Sequence, residues 1–362
     1  MKRNKTLCLL LITSLSSTYI HSQEISGIQD NSAFEQDTVA AASVTGINFF
    51  DSEEPLQMTL SFDIREFLRT KNKPEYCDAT ITVKINQHDS ITQPIKIKAR
   101  GEMRRTVCSF PPIMLKFKDT ESNRIQGKGT VKLVTHCNKS SLYESYVFKE
   151  YLAYRLYNLV TPYSFKTRLV NIKYKDISKP DNGFTAYGFL IENEDTMAQR
   201  NNAVILNNMN ITQKHMNPLD MARVAVFNYM IGNTDWSVPL QHNVKIVKSL
   251  EVPSDKGIPI AYDFDYSGLV NTVYSAPHEE LPIKNVTERY YLGLCFNEEE
   301  IKPVVDEFLG MQEQILGTIN DFEYLSKGDK KQVEAYVTSF FRTYKNQNIL
   351  MSDLNRSCKR IY

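Results

Sequence analysis

From Pro55 onward, apolar and polar residues alternate in short runs. Leu56–Phe62, Ala79–Ile85, Ile95–Arg100, Ile113–Lys118 and Thr130–Val134 each read as a strand with one face buried and one solvated. Turn residues separate them, so an antiparallel sheet of about five strands is expected over residues 55–136. Asp63 to Arg69 breaks the two-residue period and reads as a short helix. The period then changes to that of a longer helix from about Ser141 to Leu159. Leu142, Val147, Tyr151, Leu152, Tyr154 and Leu159 are expected to give it a buried stripe, and Pro162 ends it. Arg168–Tyr174 and Phe184–Ile191 alternate again and predict a hairpin. Glu192-Asn193-Glu194-Asp195 caps a short helix that runs through Arg200. From Pro218 the residues Leu219, Ala222, Val226, Phe227, Met230 and Ile231 recur at helical spacing. Residues 298–325 and 328–347 read as two closing amphipathic helices.

Between the helix at Ile231 and Gly268 lie two acidic clusters joined by strands. The first is Gly232-Asn233-Thr234-Asp235-Trp236, followed by Gln241-His242-Asn243. The second is Tyr262-Asp263-Phe264-Asp265-Tyr266-Ser267-Gly268. Val244–Lys248 and Ile258–Ala261 form the two arms of a hairpin, with a turn at Pro253–Gly257. Such a hairpin brings the Asp235/Asn243 loop and the Asp263/Asp265 loop together at one end. Carboxylate and amide oxygens converging there suit a hard divalent ion such as Mg²⁺ or Mn²⁺. Phosphoryl-transfer enzymes use the same groups, with one Asp to orient the acceptor hydroxyl and an Asn and Asp to hold metal.

The 362 residues allow one large domain or a two-lobed one, and 42% hydrophobic content supports a sizeable core. The net charge of +1 gives no reason to expect binding to nucleic acid or to an anionic membrane. Met1-Lys2-Arg3-Asn4-Lys5 and the short apolar run Leu7–Leu15 read as a signal peptide ending near residue 22. The apolar run is too short to span a bilayer, and no later segment is suited to span one. Residues 23–54 are expected to form a flexible linker. Export would leave Cys77, Cys108, Cys137, Cys295 and Cys358 in an oxidising compartment. Cys108 and Cys137 flank strands of one small sheet and are the favoured pair, worth about 3 kcal/mol if unstrained. An odd number of cysteines leaves at least one free or paired between chains.

Several of these segments, taken together, resemble the atypical secretory kinases typified by the spore-coat protein CotH. Arg100-Gly101-Glu102-Met103-Arg104-Arg105 followed by Leu115-Lys116-Phe117 is similar to that family's Arg-Gly-x-Ser-x-Arg block before a Lys-rich strand. Tyr187–Glu192 resembles its strand ending in Glu. Asn233-Thr234-Asp235-Trp236 with Asn243 looks like its catalytic Asp and metal-binding Asn, and Ile260–Gly268 is similar to its Asp-x-Asp segment. The resemblance spans roughly residues 90–275. It departs at Phe110-Pro111-Pro112, where the family has Pro-Lys-Lys, so the phosphate ammonium would come from Lys116, Lys98 or Lys132 instead. Asp235 and Asn243 are eight residues apart, against five in ordinary protein kinases.

The resemblance implies an α+β, two-lobed protein-kinase-like fold. Residues 55–192 would form a β-rich N-terminal lobe with one helix, and residues 193–362 a mainly helical C-terminal lobe. Asp235 would be the catalytic residue. Asn243, Asp263 and Asp265 would hold Mg²⁺ or Mn²⁺. Lys116, Glu150, Arg100 and Glu192 would contact ATP. The expected function is an exported kinase-like protein that transfers phosphate from ATP to a protein or small-molecule hydroxyl. The alternatives are a pseudokinase-like envelope protein that binds a partner without turnover, and a calcium-stabilised adhesion module.

Overall fold

The computed structural model describes residues 46–118, 125, 129–207, 210–252 and 254–358. The signal peptide and most of the linker expected from the sequence lie outside these residues.

The class is α+β, but the first sheet is closed. Strands β1 (Leu56–Phe62), β2 (Cys77–Lys84), β3 (Ser90–Ala99), β4 (Ile113–Lys116) and β5 (Thr130–Val134) are the five runs of alternating residues. Helices α1 (Ile64–Arg69) and α2 (Glu102–Val107) interrupt them, and α3 (Ser141–Val160) follows. The hairpin β6 (Thr167–Asp176) and β7 (Phe184–Ile191) then completes a seven-stranded barrel in the order β1-β2-β3-β4-β5-β7-β6. A five-stranded sheet and a separate hairpin were expected; the hairpin instead closes the sheet. Closure comes from a parallel pairing of β1 with β6, in register from Leu56↔Val170 to Phe62↔Asp176.

Alternation explains why this barrel holds together. Leu56, Met58, Leu60 and Phe62 of β1 point inward with Ile91, Ile95 and Ile97 of β3 and Val170, Ile172 and Tyr174 of β6. The outward face is polar except where α3 covers it. There Phe189 and Ile191 of β7 turn outward into a second core while Leu190 stays inside the barrel. Phe189 meets the rings of Tyr151 and Tyr154 at 5.8 and 5.6 Å. Strand β7 therefore serves two cores at once.

The second core is built by α3, α4 (Glu194–Arg200), α5 (Pro218–Ile231) and the three-stranded sheet of β8 (Ala203–Ile205), β9 (Val244–Ser249) and β10 (Ile258–Ala261). Four helices close the chain: α6 (Glu298–Gly310), α7 (Gln312–Asp321), α8 (Lys327–Tyr344) and α9 (Gln347–Ser357). The sequence predicted two. The first of those breaks at Met311, which is at once the C-cap of α6 and the N-cap of α7.

Cys108 is bonded to Cys137 as expected, and Cys295 to Cys358, while Cys77 is a free thiol. Two disulfides fit a protein that meets an oxidising compartment. Among the described residues, no helix is long and apolar enough to cross a membrane.

Candidate functional site

Helix α3 presents Glu150, Tyr154 and Tyr157 at spacings of four and three, which places them on one face. That face runs along the end of β10. The Tyr157 hydroxyl accepts from the Ala261 N–H at 3.3 Å, and the Tyr154 hydroxyl accepts from the Asp263 N–H at 2.8 Å. These bonds hold the chain as it leaves the strand. Asp263 sits there with φ +62°, a left-handed conformation that Asp tolerates better than most residues. Its carboxylate is thereby turned towards Glu150 and Asp265.

One carboxylate oxygen from each of Glu150, Asp263 and Asp265 lies within 4.8 Å of the others. Glu150 is 1% exposed and Asp265 6%. Arg104 of α2 reaches into this cluster. Its Nη2 donates to Glu150 Oε2 at 2.5 Å, and its Nε donates to Asp265 Oδ2 at 2.8 Å. The Tyr274 hydroxyl donates to the same Asp265 oxygen at 3.1 Å. Glu150 Oε1 is buried and has no hydrogen-bond partner.

The electrostatics follow from that arrangement. Burial pushes the Glu150 carboxyl up to about 8, opposed by Arg104 and reinforced by Asp265 and Asp263. Burial also raises Asp265, against the pull of Arg104. Burial alone would lower Arg104, but the charges of Asp265 and Glu150 outweigh it and hold the guanidinium firmly charged. Three carboxylates against one guanidinium leave two negative charges uncompensated when all are ionised. All the donors are hard oxygens, and one of them is orphaned. The set therefore fits a divalent cation of the Mg²⁺ or Ca²⁺ type.

The neighbouring loop is held to this one by backbone. Helix α5 ends at Gly232, whose φ is +66° and where an added Cβ would collide with the Tyr336 hydroxyl. The Gly232 and Ile231 carbonyls accept from the N–H groups of Gly268 and Leu269 at 3.0 and 2.9 Å. Two residues past Asn233, Asp235 donates its N–H to the buried Asn233 side chain at 3.0 Å. Asn243 Nδ2 donates to Asp235 Oδ2 at 2.9 Å and to the Asp235 carbonyl at 2.8 Å. Asp235 Oδ1 lies 2.8 Å from His242 Nε2. The Asn243 carbonyl in turn accepts from the Tyr262 N–H at 3.0 Å, one residue before Asp263. Asp235, Asn243 and the Asp263 loop thus form one connected unit. Tyr266 registers it, since burial and the charges of Asp265, Asp235 and Asp263 all raise its hydroxyl.

The remaining candidates divide. Arg100 lies near Lys132 and lowers its charge affinity; Lys132 is pushed down to about 8, by burial first and then by Arg100, while Asp263 pulls the other way. The Lys132 ammonium lies 4.8 Å over the Tyr262 ring and makes no ion pair among the described residues. Lys116 is elsewhere. It is exposed on the outer barrel face, paired in register with Lys96, and lies 5.3 Å over Tyr76. Glu192 is buried but engaged: both its oxygens accept from Arg200, at 3.1 and 2.9 Å, and Oε2 also accepts from the Lys166 N–H. The structure brings Glu150, Asp263, Asp265, Asp235 and Asn243 together, with Arg100 close by. It sets Lys116 and Glu192 in other surroundings.

Three contributors carried weak sequence signals. Tyr154 stood in the apolar stripe of the long helix and read as core, and Tyr157, three residues on, carried no signal of its own. Arg104 stood in the Arg-Gly block without any sign of its partners. His242 was a lone histidine, and only the fold shows that it touches Asp235. The sequence matches no protein-family model and no curated protein.

Proposed function

We propose that the chain is an exported kinase-like protein that binds ATP with Mg²⁺ or Mn²⁺ and transfers phosphate to a protein or small-molecule hydroxyl. The observation that carries this reading is the buried Glu150/Asp263/Asp265 cluster linked by backbone to Asp235 and Asn243. Asp263, with Asp265 and Glu150 behind it, would hold the ion, and Asn243 would keep Asp235 oriented. The bound ion would neutralise phosphate charge as it develops. Lys132, partly buried and without an ion-paired carboxylate among the described residues, fits a phosphate contact better than the solvated Lys116, and Arg100 would share that anion. Asp235 would orient the acceptor.

In this reading the barrel with α3 stands for the β-rich lobe, and the part after residue 192 for the helical lobe. The closed barrel sits oddly with the two-lobed kinase-like fold that the CotH-like resemblance implies. A second reading, a pseudokinase-like envelope protein that binds without turnover, draws on Arg104. Its guanidinium occupies Glu150 and Asp265, where an active kinase would pair that Glu with a lysine. Titration of the purified chain with ATP, with and without Mg²⁺ or Mn²⁺, followed by a phosphate-transfer assay, separates the two. Metal-dependent binding with transfer supports the enzyme, and binding alone supports the second reading.

A further inference from the structure

The loop from Asp235 to Asn243 closes on itself. The Ser237 N–H donates to the His242 carbonyl at 2.9 Å, and the His242 N–H donates to the Ser237 carbonyl at 3.0 Å. The Gln241 N–H donates to the Val238 carbonyl at 3.1 Å. Trp236 and Val238 are buried in the second core and anchor the loop there.

The backbone on both sides of His242 is left-handed. Gln241 has φ +48° and Asn243 has φ +52°. Asn adopts that region more readily than Gln. Such conformations persist where the surrounding structure imposes them, and they gather at functional sites. Here two of them bracket one histidine. They present its ring to the start of the loop, where Nε2 lies 2.8 Å from Asp235 Oδ1.

Asp235 is thereby gripped from three sides. Its N–H donates to the Asn233 side chain at 3.0 Å. Asn243 Nδ2 donates to Oδ2 at 2.9 Å, and His242 meets the other oxygen. A carboxylate held through one oxygen can pivot about that contact. Held through both, it has one plane. Each oxygen still keeps a lone pair for a further donor. The His242 side chain is 54% exposed and that of Asp235 36%. A pair so open to water adds little to stability, because water competes and two side chains must be ordered. What the contact adds is orientation, since the backbone has already placed the ring.

We infer that His242 is a positioning residue for the phosphoryl transfer proposed above. Its Nε2–H fixes the plane of the Asp235 carboxylate, so that the free lone pairs meet the acceptor hydroxyl in one geometry. This role rests on that reading of the site. Both the neutral Nε2–H tautomer and the imidazolium supply the donor, so the contact needs no change of charge.

The test compares the full chain as wild type, His242→Gln and His242→Leu, with MgATP and dephosphorylated casein as the acceptor. Glutamine carries an N–H donor to the place of Nε2, and leucine carries none. His242→Leu should lower kcat about tenfold or more with the KM for ATP unchanged, and His242→Gln should recover most of that loss. Equal kcat in wild type and His242→Leu overturns the inference, and so does a His242→Gln as slow as His242→Leu. Crystal structures of the two variants read the same contact without turnover. Asp235 should keep one carboxylate orientation in His242→Gln, and should turn or split between orientations in His242→Leu. A single unchanged orientation in His242→Leu overturns the inference whether or not phosphate is transferred. Reorientation in a chain whose wild type transfers no phosphate keeps the hold of His242 on Asp235 and removes the phosphoryl-transfer reading instead.

Discussion

The N–H of Asp263 donates to the hydroxyl of Tyr154 at 2.8 Å, across 109 residues of sequence. This bond ties the acidic loop to the helix that carries Glu150. It makes the first prediction. Tyr154→Phe keeps the ring and removes the acceptor, so folding stability should fall by only about 1 kcal/mol. Mn²⁺ affinity should fall further than that, because Asp263 loses its fixed left-handed turn. Denaturant midpoints and a Mn²⁺ titration on the same preparation measure both. Equal, full-strength Mn²⁺ binding in the variant would show that Tyr154 does not position the loop.

Much of the fold was legible because it is local. Alternation marked β1 to β7, the Ser141–Leu159 stripe marked α3, and strand flanks picked out Cys108 with Cys137. The hairpin that unites Asn243 with Tyr262 was also readable, since its two arms are adjacent in the chain. The barrel's closure was not. The pairing of Leu56 with Val170 is parallel and distant, and no sequence period encodes which edge strands meet. Three-residue β8 is too short for any period to register. In the site, the acids were readable as types, but the partners of Arg104 lie 46 and 161 residues away. The same limit misplaced Lys116: alternating lysines mark a solvated face, and the lysine near Asp263 is Lys132, one strand further on.

Arg104→Met should be severely destabilising, by about 3–5 kcal/mol, because it leaves Glu150 and Asp265 buried without their cation. Adding Glu150→Gln to that variant should recover part of the loss, since one uncompensated charge is removed. Urea unfolding of the single and double variants tests this coupling. Additive losses in the double variant would contradict it.

Gly232→Ala should cost at least about 1–2 kcal/mol, from the left-handed φ of +66° and the collision with Tyr336. Tyr336→Phe in the same chain should relieve the steric share and leave the backbone share. Thermal melts of the two variants give the comparison. A neutral Gly232→Ala would mean that the α5 end is not held as described.

Acid should destabilise the fold through His136. Burial lowers its folded pKa to about 4, against about 6.5 in an unfolded chain. Its contribution is therefore fully present above about 6.5 and is lost as pH falls towards about 4, because the unfolded chain takes up the proton first. The loss is on the order of 3 kcal/mol at most. Stability measured from pH 7 to pH 4 should fall more steeply in the wild type than in His136→Phe, and parallel curves would refute the assignment.

The central claim is that the Glu150/Asp263/Asp265 cluster and Asp235 form one metal-dependent phosphoryl-transfer site. It is tested most directly by comparing ATP binding and phosphate transfer in wild type, Asp263→Asn and Asp235→Asn, each with and without Mg²⁺ or Mn²⁺. The predicted result is metal-dependent ATP binding that Asp263→Asn abolishes. Asp235→Asn should keep that binding and lose transfer, because in the proposed function Asp235 would orient the acceptor without holding phosphate. Failure of ATP to bind the folded wild-type chain with either metal would contradict the claim.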